Sequence, residues 1–331
     1  MTDQANPARR LWLYAPFMIA GVILLAYYFL WRAGAAEMKK GVEAWIADQR
    51  AMGLDISYGA IRPDGFPFFL RMRIDEPDIT QPDAWRWRTE MLTLDALPYD
   101  LNRLIFSTRN VQTIWIKGNG EWKLTADDFR TSIASDDARG WVFAATIGGA
   151  RALRTEDGNT VSLENLVLDL APDATEPATL TLNLAAAGLF TESGEKALEF
   201  DSLQTMLAVT QTPAFSMPDP AIAWRHAGGE VRIIGFLAQI GDARLSVTGA
   251  LHLDQDNRPE GRLDTEIIAP AAFAHALETA GALSADEADS AAAALTLTAI
   301  AGGGKIAAPI ILQDGAAHIA GAKLADFPGK N

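Results

Sequence analysis

The longest uninterrupted apolar stretch of the chain lies near its N-terminus. Residues 11–31 contain no charged side chain, and as a helix they span about 32 Å, enough to cross a hydrocarbon core of about 30 Å. Aromatic residues stand at both ends, as in an interfacial belt, and arginines flank the stretch. The residues that define this predicted anchor are Arg9, Arg10, Leu11, Trp12, Tyr27, Tyr28, Trp31 and Arg32.

A cleaved signal peptide is the main alternative to a permanent anchor. Ala33-Gly34-Ala35 resembles the small-residue site at which signal peptides are cleaved. However, the apolar stretch is longer than a usual signal core, and Arg32 lies beside that site. The sequence favours an uncleaved anchor and leaves cleavage open.

The length of chain on each side of the anchor predicts its orientation. Residues 1–10 form a short tail, whereas about 300 residues follow the anchor, and large domains translocate largely regardless of their charge. We therefore expect the tail in the cytoplasm and the body of the protein on the other side of the membrane.

The apolar pattern then changes from helical spacing to alternation. Residues 36–52 place Met38, Val42, Trp45 and Ile46 on one stripe, which predicts an amphipathic helix capped by Gly53. Beyond it, apolar and polar residues alternate in short runs separated by turn residues. The predicted strands are 54–58, 69–74, 91–97, 112–117, 141–147, 161–170, 179–185, 198–210, 230–240, 243–253 and 261–268.

These strands predict a mainly β body with antiparallel strands, either a sandwich or a strongly curved sheet. The pattern predicts a weak boundary within the β body, between an N-terminal part over residues 54–155 and a C-terminal part over residues 156–331. Near the C-terminus the pattern predicts helices over 270–280 and 284–294, where Ser284 and Glu287 fit a capping box. Strands are expected again over 295–300, 306–312 and 317–324, with a hairpin turn at Asp314-Gly315.

Composition and charge exclude several functions. The chain has 28 Lys and Arg against 42 Asp and Glu, a net charge of −14, so binding to nucleic acid is not expected. It has no Cys, which excludes disulfides, thiolate nucleophiles and Cys-based metal sites. The four His are scattered, and no spacing suggests a catalytic group, a metal site or a cofactor site. We therefore expect a protein that is not an enzyme.

The aromatic residues are the remaining candidates for a site. On a strand, Trp85 and Trp87 point to one face and Arg86 points to the other, so the two rings either fill the core or line an apolar groove. The strand over 230–240 carries apolar side chains on both faces, among them Phe236, which suggests that both faces are covered.

The residues Gly65, Phe66 and Pro67 begin an aromatic turn, which we interpret as a structural corner. This turn is the first of several short segments whose order along the chain can be compared with that in known protein families. The others are Asp78-Ile79, Trp85-Arg86-Trp87, Leu94 with Ala96-Leu97-Pro98, Asn257–Leu263 and Asp314-Gly315.

In these segments the chain resembles the bacterial membrane-anchored family known as domain of unknown function 2125. The resemblance covers most of residues 36–328 and implies a single-pass inner-membrane protein with a periplasmic β-rich body. No catalytic residues transfer from it. A more distant similarity is to AsmA-like envelope proteins, which implies curved sheets and apolar grooves.

Two functions remain open at this stage. In the first, the body binds lipid or another apolar ligand in a sheet-lined groove near the membrane. In the second, the body is an envelope scaffold that contacts other envelope proteins, and its β core is fully closed and holds no ligand. The sequence cannot choose between them, because inward-facing residues look alike in both cases.

Overall fold

The computed structural model of the chain describes residues 7–97, 100–194, 196–217, 219–281, 283–301, 304–319 and 322–326. These residues form two compact units, of which the first ends at Ser107 and the second begins at Thr108. Antiparallel strands dominate, which confirms the predicted mainly β class with one long N-terminal helix.

The first unit begins with a single long helix, α1 (Pro7–Ala51), so the predicted anchor and the predicted amphipathic helix are continuous. The helix ends just before Gly53, whose φ of +98° is a conformation that glycine adopts without strain. The strands of this unit are β1 (Asp55–Ser57), β2 (Ile61–Asp64), β3 (Leu70–Asp75), β4 (Asp78–Gln81), β5 (Trp85–Thr89), β6 (Met91–Leu97) and β7 (Asp100–Ser107).

The strands of the first unit form two antiparallel sets, β1–β4–β5 and β2–β3–β6–β7. The core of the unit lies where α1 packs against the second set. Met72 at the centre of β3 is fully buried, and Leu70 and Ile74 on the same face of that strand are buried beside it. Alternation of apolar and polar residues along β3 produces this one-sided burial.

The stripe of α1 that covers this core follows helical spacing. Ala35 and Ile46 are buried, and Met38 and Val42 pack against the same cluster. Trp45 is exposed, although the sequence places it on the apolar stripe. The steps from Ala35 to Ile46 are three or four residues, and Trp45 falls outside that series because it directly precedes Ile46.

The second unit is an open antiparallel sheet in which neighbours in sequence are neighbours in space. Its strands are β8 (Gln112–Ile116), β9 (Gly120–Thr125), β10 (Asp128–Asp136), β11 (Gly140–Arg154), β12 (Thr160–Pro172), β13 (Leu180–Ser193), β14 (Lys196–Val209), β15 (Val231–Ile240), β16 (Ala243–Leu253), β17 (Pro259–Ile268), β18 (Lys305–Gln313), β19 (Ala316–Ile319) and β20 (Ala322–Asp326). From β11 to β20 each strand pairs with the next one along the chain.

The N-terminal edge of this meander is shared by two strands. β10 pairs with the first half of β11. β9 pairs with the last residues of β11, and its other edge pairs with β8. At the other end, Asp314 and Gly315 both have positive φ and form the predicted hairpin turn.

Short helices interrupt the meander at two places. A 3₁₀ helix (Thr212–Ser216) and α2 (Pro220–His226) lie between β14 and β15, and α3 (Pro270–Thr279) and α4 (Ala285–Ala301) lie between β17 and β18. The predicted capping box is present, because the backbone N–H of Ser284 donates to the Glu287 carboxylate over 2.9 Å. α3 packs against β14 and β16, and α4 packs against α3 and β18.

The strand predicted over 295–300 is wrong, since these residues form the end of α4. Thr296 donates its hydroxyl to the carbonyl oxygen of Ala292, one turn earlier in the helix, over 2.7 Å. Leu-Thr alternation suggests a strand, but a helix that is already nucleated adds residues at little cost until a breaker follows.

The sequence pattern also misses α2 and the strands β2, β4, β7, β9 and β10. Along β10 half-buried residues lie on both faces, so the alternation on which strand prediction depends is weak. The division predicted at 155/156 falls in the hairpin between β11 and β12, inside the second unit, where Gly158 adopts a positive φ.

Candidate functional site

One row of apolar side chains crosses nine strands of the second unit. Residues directly opposite each other in antiparallel strands point to the same side of a sheet, so the register identifies which side chains share a face. We call the following set the central row: Ile133, Phe143, Leu170, Leu182, Leu207, Ile233, Gly249, Leu263 and Ile310. Every member except Gly249 is a large apolar residue.

No member of the central row is buried. Ile133, at the edge, is exposed, and the other eight are half-buried. In a sandwich the middle of the inner face is covered by the second sheet and loses its contact with water. With neighbouring strands about 4.8 Å apart, the nine residues extend over about 38 Å of accessible apolar surface.

A second row, on one side of the central row, continues the same face. It contains Ala145, Leu168, Leu184, Thr205, Phe236, Val247, Thr265 and Ala308. Phe236, which the sequence singles out, therefore lies on this face and is half-buried. We call the two rows together the apolar face.

A β-bulge in β15 decides which of its side chains join the apolar face. Ile233 pairs with Leu207 and Phe236 pairs with Thr205, so the two apolar residues share a face although they are three positions apart. Ile234 and Leu237 point to the other side and are 51% and 46% exposed. The prediction that both faces of this strand are covered is wrong, because the bulge changes the alternation.

The opposite face of the sheet is more polar. Asp169 and Asn183 face each other there, and Arg262 and Asp264 alternate with the apolar residues of β17. All four are exposed. The sheet therefore presents one mainly apolar side, whereas on the other side these polar residues alternate with exposed apolar ones such as Met206 and Leu237.

Trp85 and Trp87 lie in the first unit, whereas Phe236 lies in the second. As predicted, both rings are on one face of β5. Trp87 is half-buried opposite Ile79, which packs against the core of the first unit, and Trp85 is exposed. The pair therefore extends from the edge of a core to the surface.

Among the described residues, α1 is the helix that is long and apolar enough to cross a membrane. The large apolar side chains between Phe17 and Leu25 are exposed on this helix, and Phe17 is 74% exposed. Arg9, Arg10, Leu11 and Trp12 belong to this helix, but their side chains lie outside the described part of the chain.

The other end of the uncharged stretch contacts the turn Gly65–Phe69, which we call the aromatic turn. Trp31 donates its Nε1–H to the carbonyl oxygen of Phe69 over 2.7 Å, and the Tyr27 hydroxyl donates to the carbonyl oxygen of Pro67. Gly65 has a φ of +91°, and an added Cβ would lie 2.9 Å from the carbonyl oxygen of Phe69. The tight turn therefore requires glycine at this position.

An aromatic cluster forms between the turn and the helix. The ring of Phe66 lies 6.1 Å from Tyr27, 5.4 Å from Tyr28 and 5.5 Å from Trp31, measured between centroids. These distances are typical of favourable aromatic pairs. The sequence suggests a structural corner here, but it does not reveal that the corner packs against the predicted anchor, since the two segments are about 40 residues apart.

Ion pairs lie on the strands that enter and leave the aromatic turn. Arg73 contacts Asp64 at 2.8 Å, and Arg71 contacts Asp95 at 2.5 Å. On β4, a hydrogen bond from Arg86 holds the pKa of Asp78 below its usual range. Among the described residues, no three His, Asp or Glu side chains gather where they could hold a metal ion.

Comparison with known proteins identifies the family of the chain. No curated protein and no solved structure matches it. The sequence model of one bacterial family, described as "Uncharacterized protein conserved in bacteria (DUF2125)", matches residues 31–328, from the end of the uncharged stretch nearly to the C-terminus. The chain therefore belongs to the DUF2125 family, as its turn and strand motifs suggest.

Proposed function

We propose that the protein is a membrane-anchored, non-enzymatic envelope protein of the bacterial inner membrane that binds lipid acyl chains on the apolar face of its second unit. α1 holds the chain in the membrane, the short N-terminal tail lies in the cytoplasm, and the body lies in the periplasm. The central row carries this proposal, because its large apolar side chains extend across nine strands without being buried.

The size of the apolar face suits an acyl chain. Removing apolar surface from water contributes about 0.8 kcal/mol per methylene group, so ten methylenes in contact with the face contribute roughly 8 kcal/mol before ordering costs. Such binding needs shape and apolar surface rather than a charged recognition motif. An anchored protein also meets lipid at high local concentration.

A photoreactive residue in place of Phe236 tests the binding. Leu237 is the matched control, because it is the next residue on β15, is also apolar, and points to the opposite face. In membranes, we expect a crosslinker at position 236 to label lipid, whereas the same group at position 237 labels little or none.

Two other results would contradict lipid binding by the apolar face. Equal labelling at both positions would show that lipid contacts the sheet without preference for the apolar face. Labelling of protein alone at position 236 would support the scaffold function, with the apolar face covered by another envelope protein.

The proposed orientation has its own test. A reporter that is active only in the periplasm, fused after Asn331, should be active. Activity of a cytoplasm-specific reporter at the same place would overturn the orientation, and it would leave the properties of the apolar face unchanged.

A further inference from the structure

We propose that the aromatic turn, Gly65–Phe69, inserts into the bilayer beside α1 and forms a second membrane contact of the first unit. The occupant that covers the turn is the interfacial region of the same bilayer that α1 crosses. This inference rests on the membrane anchoring proposed above, but anchoring by α1 does not require it.

The hydrogen bonds to α1 define the depth of the turn. Gly21 is the midpoint of the uncharged stretch 11–31, so Tyr27 and Trp31 lie about 9 Å and about 15 Å along the helix from the centre of the bilayer. The hydrocarbon core extends about 15 Å to each side of that centre. Because Tyr27 bonds to Pro67 and Trp31 bonds to Phe69, the turn lies about 9 to 15 Å from the centre, in the outer part of the hydrocarbon core next to the headgroups.

The side chains of the turn suit that environment. Phe68 is 75% exposed, and Phe66 and Phe69 are exposed as well. Turns in water are usually built from polar residues, glycine and proline, so three exposed phenylalanines at one turn are unusual there. At the membrane interface the same rings would leave water.

The backbone of the turn is also largely satisfied without water. The carbonyl oxygen of Gly65 accepts from the N–H groups of Phe68 and Phe69 over 3.0 and 2.9 Å. The carbonyl oxygens of Pro67 and Phe69 accept from α1, and Pro67 has no N–H to satisfy. Polar backbone groups that enter hydrocarbon need such internal partners, because no water is available there.

Charged residues begin where the turn ends. β2 ends at Asp64, which pairs with Arg73, and Arg71 on β3 pairs with Asp95. On α1, Arg32 directly follows Trp31. Polarity therefore rises from the tip of the turn toward its base, as it does from acyl chains to headgroups.

Single cysteines can report the depth directly, because the chain contains no native Cys. The full-length variants Phe68→Cys, Phe17→Cys and Met52→Cys would each carry a bimane fluorophore in phosphatidylcholine vesicles. The vesicles would contain lipids with a nitroxide either near the acyl carbonyl or near the terminal methyl group. Phe17 and Met52 are matched to Phe68 in exposure, at 74% and 68%, and all three are in the first unit.

Bimane at position 68 should be quenched about twofold or more strongly by the shallow nitroxide than by the deep one. Bimane at position 17 should be quenched most by the deep nitroxide. Position 52 lies about 30 Å beyond Trp31 along α1 and should be quenched by neither.

The controls separate failure of the insertion from failure of the anchor. If position 17 is quenched while position 68 behaves like position 52, the anchor stands and the insertion is overturned. If position 17 is also unquenched, the anchoring fails and the insertion fails with it. Stronger quenching of position 68 by the deep nitroxide would overturn its interfacial placement.

Discussion

The two units of the chain use apolar residues in different ways. In the first unit, large side chains such as Met72, Leu70 and Ile74 are buried under the stripe of α1. In the second unit, the buried apolar residues among those described are mostly alanines, and the larger ones are Trp224, Ile306 and Leu312. The large residues of the central row remain half-buried, except Ile133, which is exposed.

This difference indicates that the units are stabilised by different interactions. Burial of large side chains makes the first unit a conventional two-layer core of helix on sheet. In the second unit, strand pairing organises the sheet, and much of the apolar face keeps access to its surroundings. The first unit is therefore expected to be sensitive to the loss of side-chain volume, and the second to changes that separate its strands.

The largest expected effect is at Met72. Met72→Ala removes a fully buried side chain and leaves a cavity, which should lower the free energy of unfolding by about 3–4 kcal/mol. Leu184→Ala, on the apolar face, should cost only about 1 kcal/mol because Leu184 is half-buried. Urea unfolding of the detergent-solubilised protein, with hydrogen exchange resolved by unit, measures both. Equal losses would show that the apolar face is a closed core.

Gly249 tests how closely the strands of the second unit approach each other. Its φ is +146°, and an added Cβ would lie 2.2 Å from the carbonyl oxygen of Arg262 on the neighbouring strand. Gly249→Ala should therefore destabilise this unit by about 2–3 kcal/mol. Gly235→Ala is the control, since no atom lies within 4 Å of its added Cβ. Similar hydrogen-exchange protection in the two variants would contradict the proposed dependence on strand packing.

A smaller effect is expected where α1 meets the aromatic turn. Trp31→Phe keeps a ring beside Phe66 but removes the N–H that bonds to Phe69. The lost hydrogen bond should cost about 1 kcal/mol and increase hydrogen exchange within residues 65–69, without affecting the second unit. Unchanged exchange in the turn would show that this hydrogen bond contributes little to its position.

The smallest effect concerns the exposed ion pair of Asp78 and Arg86. The pKa of Asp78 is lowered in the folded state, so the pair stabilises the protein above the unfolded carboxyl pKa of about 3.9 and loses its effect as the pH falls through the folded value. Asp78→Asn should cost about 0.5 kcal/mol near neutral pH. Unfolding curves of the two proteins should converge once the pH has fallen below the lowered folded pKa of Asp78. A difference that persists there would mean that the substitution acts through packing.

Much of the fold could be predicted from local pattern. The uncharged stretch, the helix after it, the long strands from β11 to β17 and the capping box at Ser284 all appear in the structure. Each depends on residues close together in sequence. The errors have local causes too, since Leu295–Ile300 alternates like a strand but continues a helix that has already begun.

The candidate site could be predicted only in part. The sequence identifies Phe236 as an unusual apolar residue, and it identifies Trp85 and Trp87 as a pair on one face. It does not show that Phe236 joins Leu184 and Val247 on one side of the sheet, because this depends on the register of several strands and on the bulge in β15. The contact of Phe66 with Trp31 is likewise invisible to local periodicity.

The sequence by itself determined the membrane-length helix, the mainly β class and the absence of cysteine chemistry, because these follow from composition and from the spacing of apolar residues along a short segment. The tertiary structure decided which apolar residues are covered. Burial depends on what lies opposite a residue, and that partner can come from anywhere in the chain. For this reason Met72 and Leu184 look alike in the sequence, although one fills a core and the other belongs to an accessible apolar face.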